Sequence, residues 1–408
     1  MKKHFFLIML FCSLYSLTYS QEQKDSTKWI QIYGFAMTDF GYNFNQVDPK
    51  WYDVMRPSKL PAYDNQFGTD GNFYFSARQS RFGVKSSMQT KWGEFKTVFD
   101  FDLFGVGADA GLTTIRLRHA YGQLGHIGAG QTESAFMDLD VFPNTLEYWG
   151  PSGMLFYRNV QFRYYPIMGP THLVFALEMP GASADGGTYA DRIELSYVKP
   201  HFPYPDLSGH FRYAGKKWGY VQLGAIVRYI GWKYLPPDVD SLKKIDLSGH
   251  AIGWGVSLSS GINIGKVAVI HLQAVYGAGV ENYFNDAPLD IGIKENLSDS
   301  VHPIKGVALP DLGLVAFVDL YWSKKFSSSI GWSNTTIMNS DGQAPSDYHL
   351  GHFVEANLLY YPWHNVMVGV EFQWIYRQNN SDGYTSQATK INFSLKYNFD
   401  KTFYFAKK

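Results

Sequence analysis

Along most of the chain, apolar residues recur at every second position. In EFKTVFDFDLF (94–104), Phe95, Thr97, Phe99, Phe101 and Leu103 share one side, and Glu94, Lys96, Asp100 and Asp102 share the other. In INFSLKYNF (391–399), Ile391, Phe393, Leu395, Tyr397 and Phe399 oppose Asn392, Ser394, Lys396 and Asn398. Successive side chains of a strand point to opposite faces, so a period of two predicts strands with one apolar and one polar face. Tilted strands that cross a bilayer take about 9 to 11 residues, whereas the strands of soluble sandwiches are nearer 5 or 6. These segments fit the longer class. After residue 28 no run of about 18 consecutive apolar residues occurs, which excludes helical spans, and amphipathic helices are equally hard to find.

Such segments fall near 30–42, 73–88, 93–104, 113–124, 126–131, 153–166, 170–178, 189–199, 206–214, 219–232, 247–264, 267–280, 311–323, 326–338, 349–362, 365–378 and 386–399, seventeen in all. A bacterial single-chain barrel has an even number of strands, with short periplasmic turns alternating with longer outer loops. From the C-terminus, YPWHNV, SKKF, NIGK and AGKK are short turns; from the N-terminus, QTKWG, LGHIG and PIMGPT are. The two readings clash only if RIELSYVKP (192–200) spans the membrane. Placing it inside an outer loop, 179–205, restores the alternation and leaves sixteen strands, although both readings of 192–200 stay open. The expected fold is therefore all-β: a transmembrane antiparallel β-barrel of about sixteen strands over residues 30–408.

Composition agrees. Aromatic residues make up 17% of the chain and charged residues only 18%, more rings than a soluble surface hides. Net charge is zero for the whole chain, so nothing points to a nucleic-acid partner. The N-terminal MKKHFFLIMLFCSLYSLTYS has a basic start, a short apolar run and a small-residue cleavage site, which predicts a signal peptide over 1–20. Residues 21–29 would be a short periplasmic segment. The single cysteine, Cys12, lies inside the signal peptide, so no disulfide or Cys-based metal site is expected in the mature chain.

A barrel of sixteen strands is wide enough for an aqueous channel. TESAFMDLDVFPNTLEYWGPSG (132–153) carries Glu133, Asp138, Asp140 and Glu147 among apolar residues suited to packing on a wall, and is expected to fold inward as a constriction loop. An exposed acidic loop is the plainer alternative. On the wall, a lipid-facing Arg at midplane costs about 2 to 4 kcal/mol, so charge belongs inside. Alternation places Arg116 and Arg118 opposite Ile115, Leu117 and Tyr121, and Asn159, Gln161 and Arg163 opposite Val160, Phe162 and Tyr164. In SARQSRFGVK (76–85), Arg81 and Lys85 share the lumen face while Arg78 does not. Arg78 must face outward, turn at a bulge or meet an acid; a strand irregularity there would bring both arginines inward. A basic ladder facing an acidic loop orients charged solutes, and fixed guanidiniums match carboxylates in a bidentate way.

Twelve histidines are present, of which His119, His172, His271 and His352 are scattered singly among strands, and no Gly-x-Ser-x-Gly, HExxH or P-loop sequence occurs. Enzyme activity and cofactors are therefore not expected. Two function classes stay in play: a diffusion porin favouring small anions, and a non-conducting binding or surface-structural barrel.

FSARQSRFGVK (75–85), RLRHAYGQLG (116–125), GQTESAFMDLD (130–140), FPNTLEYWGPSGM (142–154) and RYAGKKWGYVQLGA (212–225) resemble the DcaP-like porins. The likeness is concentrated in 73–166, with weaker agreement near 205–225. It implies a homotrimer in the outer membrane of a Gram-negative bacterium, bordered by lipid and passing small hydrophilic solutes such as dicarboxylates. It also implies that 132–153 is the inward loop and that the nearby arginines line it. Members of this family can carry a long N-terminal helical extension; only Gln21 to Lys28 precede the first strand here, so a coiled coil is not expected.

Overall fold

The computed structural model describes residues 28–183, 197–236, 238 and 244–405. The expected signal peptide, most of the segment after it and residues 192–196 of the ambiguous stretch lie outside the described residues. In chain order the strands are β1 (Lys28–Asn43), β2 (Asn72–Ser76), β3 (Arg81–Thr90), β4 (Gly93–Phe104), β5 (Thr113–Leu124), β6 (Ile127–Glu133), β7 (Arg158–Ile167), β8 (His172–Glu178), β9 (Val198–Pro200) and β10 (Asp206–Gly215). They continue as β11 (Gly219–Tyr234), β12 (Gly249–Ile264), β13 (Ala268–Ala278), β14 (Ile291–Glu295), β15 (Ile304–Ala308), β16 (Pro310–Tyr321), β17 (Phe326–Ile337), β18 (Tyr348–Trp363), β19 (Val366–Asn379) and β20 (Thr385–Phe405).

Sequential antiparallel pairing runs around a closed wall, and β1 meets β20 over its whole length, from Lys28↔Phe405 to Asn43↔Lys390. Counting β2 and β3 as one interrupted strand, and leaving out β9 and the β14–β15 hairpin, sixteen strands form the barrel. Closure removes the unpaired edges that a bilayer cannot solvate. β9 pairs only with the far end of β11, at Lys233↔Lys199, so the described part of 192–200 lies outside the sixteen.

The period of two is visible as burial. Leu223, Val227, Leu258 and Leu395 on the outer face are each more than half exposed, while Gln222, Ser257, Ser259 and Ser394 between or beside them are buried. Apolar side chains thus face outward, and small polar ones face inward.

Two strands differ from the sequence expectation. Residues 73–88 do not form one strand: 77–80 leave the ladder between Asp39↔Ser76 and Phe35↔Arg81. Ser80 replaces the lost ladder bonds, its hydroxyl accepting from the Met37 amide at 3.0 Å and donating to the Met37 carbonyl at 3.2 Å. The expected strand 153–166 begins only at Arg158, because 153–157 belong to the long connection between β6 and β7.

That connection, 134–157, packs against the buried face of the wall. Phe136, Met137 and Leu155 cluster with Ile226 and Val275; Val141 and Met154 cluster with Val315, Phe317, Phe353 and Ile375; Leu146 meets Met37, Leu359 and Met367. Gly153 shows how close the approach is. A Cβ there would sit 2.0 Å from the Asn334 carbonyl oxygen, and one on the facing Gly313 would sit 2.3 Å from the Gly153 oxygen. No side chain fits at either position without moving backbone.

Candidate functional site

The connection is held by polar wall side chains that cap its backbone. The Glu178 carboxylate on β8 accepts from the Ala135 amide at 2.9 Å, and Gln273 on β13 accepts from the Leu155 amide at 3.1 Å. On β17, the Ser333 hydroxyl accepts from the Gly153 amide at 2.8 Å. Glu371 on β19 takes two amides at once, Leu146 at 2.6 Å and Glu147 at 2.9 Å. A loop has no ladder of its own, and its buried N–H groups must find acceptors; these inward acids, amides and hydroxyls supply them.

The four acids of the loop segment are themselves mostly engaged. Asp138 pairs with Arg212 on β10 at 2.5 Å and accepts from the Ser259 hydroxyl at 2.6 Å. Asp140 pairs with the same guanidinium and keeps a largely exposed side chain. Glu133 lies 2.8 Å from His119 Nε2 and 3.6 Å from Arg158 Nε. Glu147 is buried and accepts from the Met55 amide at 2.6 Å and the Gly150 amide at 2.5 Å. Desolvation pushes the Glu147 carboxyl up to about 7, against the pull of Lys390 and its two amide donors. Buried carboxylates need partners, so the acidic face expected from sequence is, apart from Asp140, a set of anchoring contacts.

The arginines come together on the arc from β3 to β7. Arg81, Asp102 and Arg116 form one cross-strand row, since Arg81↔Asp102 and Asp102↔Arg116 are register partners. Asp102 accepts from Arg116 Nε at 3.0 Å and Nη2 at 2.7 Å, from Arg118 Nη1 at 3.2 Å and from the Tyr148 hydroxyl at 2.5 Å. A register shift at Asp100/Phe101 makes Arg118 the extra residue of a bulge. The bulge carries both Arg118 and His119 inward, so His119 meets Glu133, and Tyr121, placed by alternation opposite the arginines, meets the Tyr165 hydroxyl. Arg118 is a charged neighbour of both Arg81 and Arg158.

Arg78, in the excursion between β2 and β3, is fully buried. It grips Asp53 of the 44–71 connection with both Nε (2.9 Å) and Nη2. The strand irregularity thus turns Arg78 inward to an acid. Gln161 is buried and donates to the Glu133 carbonyl at 2.9 Å, and Arg163 Nε donates to Gln161 Oε1 at 2.8 Å. Lys85 is exposed, its ammonium 4.4 Å from the Tyr33 ring centroid. Sequence reasoning passed over Arg158, Asp53 and Arg212. Arg158 stands at an even position beside the inward odd ones Asn159, Gln161 and Arg163, so alternation alone misplaces it.

Several guanidinium nitrogens in this cluster have no hydrogen-bond partner although buried: Arg81 Nε, Arg118 Nε, and Nε and Nη2 of Arg158. Arg116 and Arg158, with Arg56 and Trp149, line a cavity of about 440 Å³. Glu133, Asp138, Arg163, His172, His210 and Arg212 are among those lining another of about 430 Å³.

The profile of the DcaP outer membrane protein family matches residues 15–207, which contain β1 to β9 and every residue of the arginine cluster. That span is just under half of the chain, and over it the sequence is similar to the DcaP outer membrane protein family. The DcaP likeness extends across the barrel in the outer membrane channel DcaP of Acinetobacter baumannii, with TM-score 0.75, 17% identity, and 94% of this chain and 100% of that one covered. An anion-selective porin from Comamonas acidovorans follows, with TM-score 0.57, 9% identity and coverage of 91% and 100%. OmpT of Vibrio cholerae in its trimer form gives TM-score 0.52, 10% identity and coverage of 92% and 100%. No curated protein matches the chain at a significant level. The chain thus has the closed sixteen-stranded barrel fold of outer-membrane porins and is placed in the outer membrane of a Gram-negative bacterium.

Proposed function

We propose that this DcaP-like barrel is a passive channel for small hydrophilic solutes that favours anions, dicarboxylates among them, with 134–157 narrowing the lumen beside the arginines. The observation that carries this reading is the set of buried guanidinium N–H groups on Arg81, Arg118 and Arg158 that make no hydrogen bond, the carboxylates beside Arg118 Nε and Arg158 Nε standing 3.8 and 3.6 Å away. A buried donor without a partner costs free energy, more so when charged, and a passing carboxylate relieves that cost. The DcaP and anion-selective porin neighbours support the same class, and the trimeric OmpT neighbour supports a homotrimer here.

Planar-bilayer recording under a salt gradient tests the reading. A reversal potential showing anion preference, together with faster liposome swelling in dicarboxylates than in neutral sugars of equal size, is the expected result. Cation preference removes the anionic reading, and a barrel without conductance removes the channel.

A further inference from the structure

We infer that His172 and His210 form a binding site for a divalent transition-metal ion, zinc foremost, inside the barrel. His172 opens β8 and His210 lies in β10; Arg212↔His172 and His210↔Val174 are register partners, so the two histidines are diagonal neighbours on one face. Their Nε2 atoms are 3.2 Å apart.

The tautomers follow from the other ring nitrogens. His210 Nδ1 lies 2.6 Å from the Ala135 carbonyl oxygen, and His172 Nδ1 lies 3.0 Å from that of Gly169. A carbonyl oxygen only accepts, so each Nδ1 carries a proton, and in the neutral form of either ring Nε2 is a free lone pair. With both rings in that form, two lone pairs face each other at 3.2 Å, an arrangement relieved by a cation held between them, whether a proton or a metal ion. Nitrogen ligands of one tetrahedral zinc, at about 2.0 to 2.1 Å from the metal, stand roughly 3.3 Å from one another. Donation of the distal ring N–H to a carbonyl is also the usual support of a metal-binding histidine, fixing its tautomer and ring plane.

The surroundings admit an ion. Both rings line the cavity of about 430 Å³, so water or a solute carboxylate can fill the remaining coordination positions. Around that cavity Glu133, Asp138 and Asp140 balance Lys96, Arg163 and Arg212, and Arg212 is already paired with Asp138 and Asp140. Imidazole ligands select zinc, copper and nickel over magnesium and calcium. Ala135 belongs to the 134–157 connection, so a metal here would also pin the start of that connection to β10 through His210.

The test uses the full-length mature protein in detergent after treatment with a chelator. Equilibrium dialysis against Zn²⁺ is expected to show one site per chain, and Co²⁺ to give the visible absorption of a tetrahedral ion. His172→Gln and His210→Gln should each weaken zinc at least tenfold, with the double variant within about twofold of either single one, because one histidine alone cannot chelate. His250→Gln, stacked on Tyr229 elsewhere in the wall, should bind as the parent does. Retention of the compact gel mobility in detergent confirms that each variant is folded, whether or not the barrel conducts. Zinc binding that survives in folded double variants overturns the site, as does a folded parent that binds no zinc.

Discussion

Two arcs of the barrel carry opposite charge and put it to different use. From β3 to β7 the inward side is rich in guanidiniums, and Asp53, Asp100, Asp102 and Glu133 satisfy them only in part. From β16 to β19 it is acidic, and there Asp319 and Glu371 are occupied by backbone amides of 144–147. Both arcs hold the loop, the basic one through the Tyr148 hydroxyl, but the basic arc is also left with donors to offer. The lesson is that counting charges around a lumen misleads: what a solute can meet depends on which charges already have partners. By that measure Asp319 and Glu371 are scaffold, whereas the guanidiniums of the basic arc are the candidate selectivity element.

The largest effect that would sharpen this contrast comes from cutting one pair on each arc. Asp102 receives Arg116, Arg118 and Tyr148, so Asp102→Asn leaves Arg116 without its counter-charge and Arg118 with only Asp100, 3.8 Å away. Breaking a buried pair from one side costs about 3 to 5 kcal/mol. Glu355 is fully buried too, but its contacts to Gln373 and Asn357 are long, 3.4 and 3.5 Å. Glu355→Gln is expected to change stability by less than about 1 kcal/mol, in the range of a single net hydrogen bond. The temperature at which each barrel loses its compact gel mobility in detergent measures both. Equal losses would show that the arcs are energetically alike.

Next comes the pH dependence of loop docking. Glu147 stands among Lys390, Glu371 and Glu355 on the acidic arc, and its carboxyl is raised from an ordinary value to about 7. An acid whose folded pKa is raised holds its proton more tightly when docked. Its contribution is therefore complete below about 4.5, its unfolded range, and is lost as pH rises through about 7. The loss amounts to roughly 3 kcal/mol. Channel current is expected to become noisier or larger between pH 6 and 8 as the loop loosens, and Glu147→Gln should flatten that change. A parent whose current is constant across this range would show that the carboxylate form is accommodated without cost.

How much of this was legible in the sequence differs along the same divide. Alternation placed Asp100 and Asp102 on one face and Arg116 and Arg118 on one face, and the tight turn after Thr90 sets the register in which Arg81 meets Asp102. The row Arg81, Asp102, Arg116 was therefore within reach of pattern reasoning. His119, Arg158 and Arg78 were not, because each sits where the period of two breaks: a bulge at Arg118, a strand start at 158 and an excursion at 77–80. The acidic arc was hidden for another reason. Glu371, Glu355 and Asp319 look like ordinary lumen residues until the 134–157 backbone is laid across them, and a contact between residues more than 170 positions apart leaves no local trace.

Selectivity sharpens the comparison further. Arg81→Gln with Arg158→Gln removes two partly unpartnered guanidiniums while leaving the Asp102 pairs in place. The anion-to-cation permeability ratio is expected to fall about tenfold, equivalent to about 1.4 kcal/mol at the barrier. Neutralising Asp319 and Glu371 as amides should move the ratio far less. Reversal potentials in a bilayer give both numbers, and a larger shift from the acidic arc would invert the assignment.

The smallest effect belongs to Lys85, and it separates a local field from a diffuse one. Lys85 shares a strand face with Arg81, but its side chain is exposed and rests on the Tyr33 ring. Exposed charges are screened over about 10 Å at 0.1 M salt. Lys85→Gln should therefore leave selectivity within twofold in 0.1 M salt and show a larger change only near 0.01 M, where the screening length grows to about 30 Å. The arginine variants, whose nitrogens are buried, should keep their effect at both salt concentrations. If Lys85 and Arg81 respond alike to salt, the preference comes from the summed charge of the channel mouth, and the pairing difference between the two arcs would decide stability but not selection.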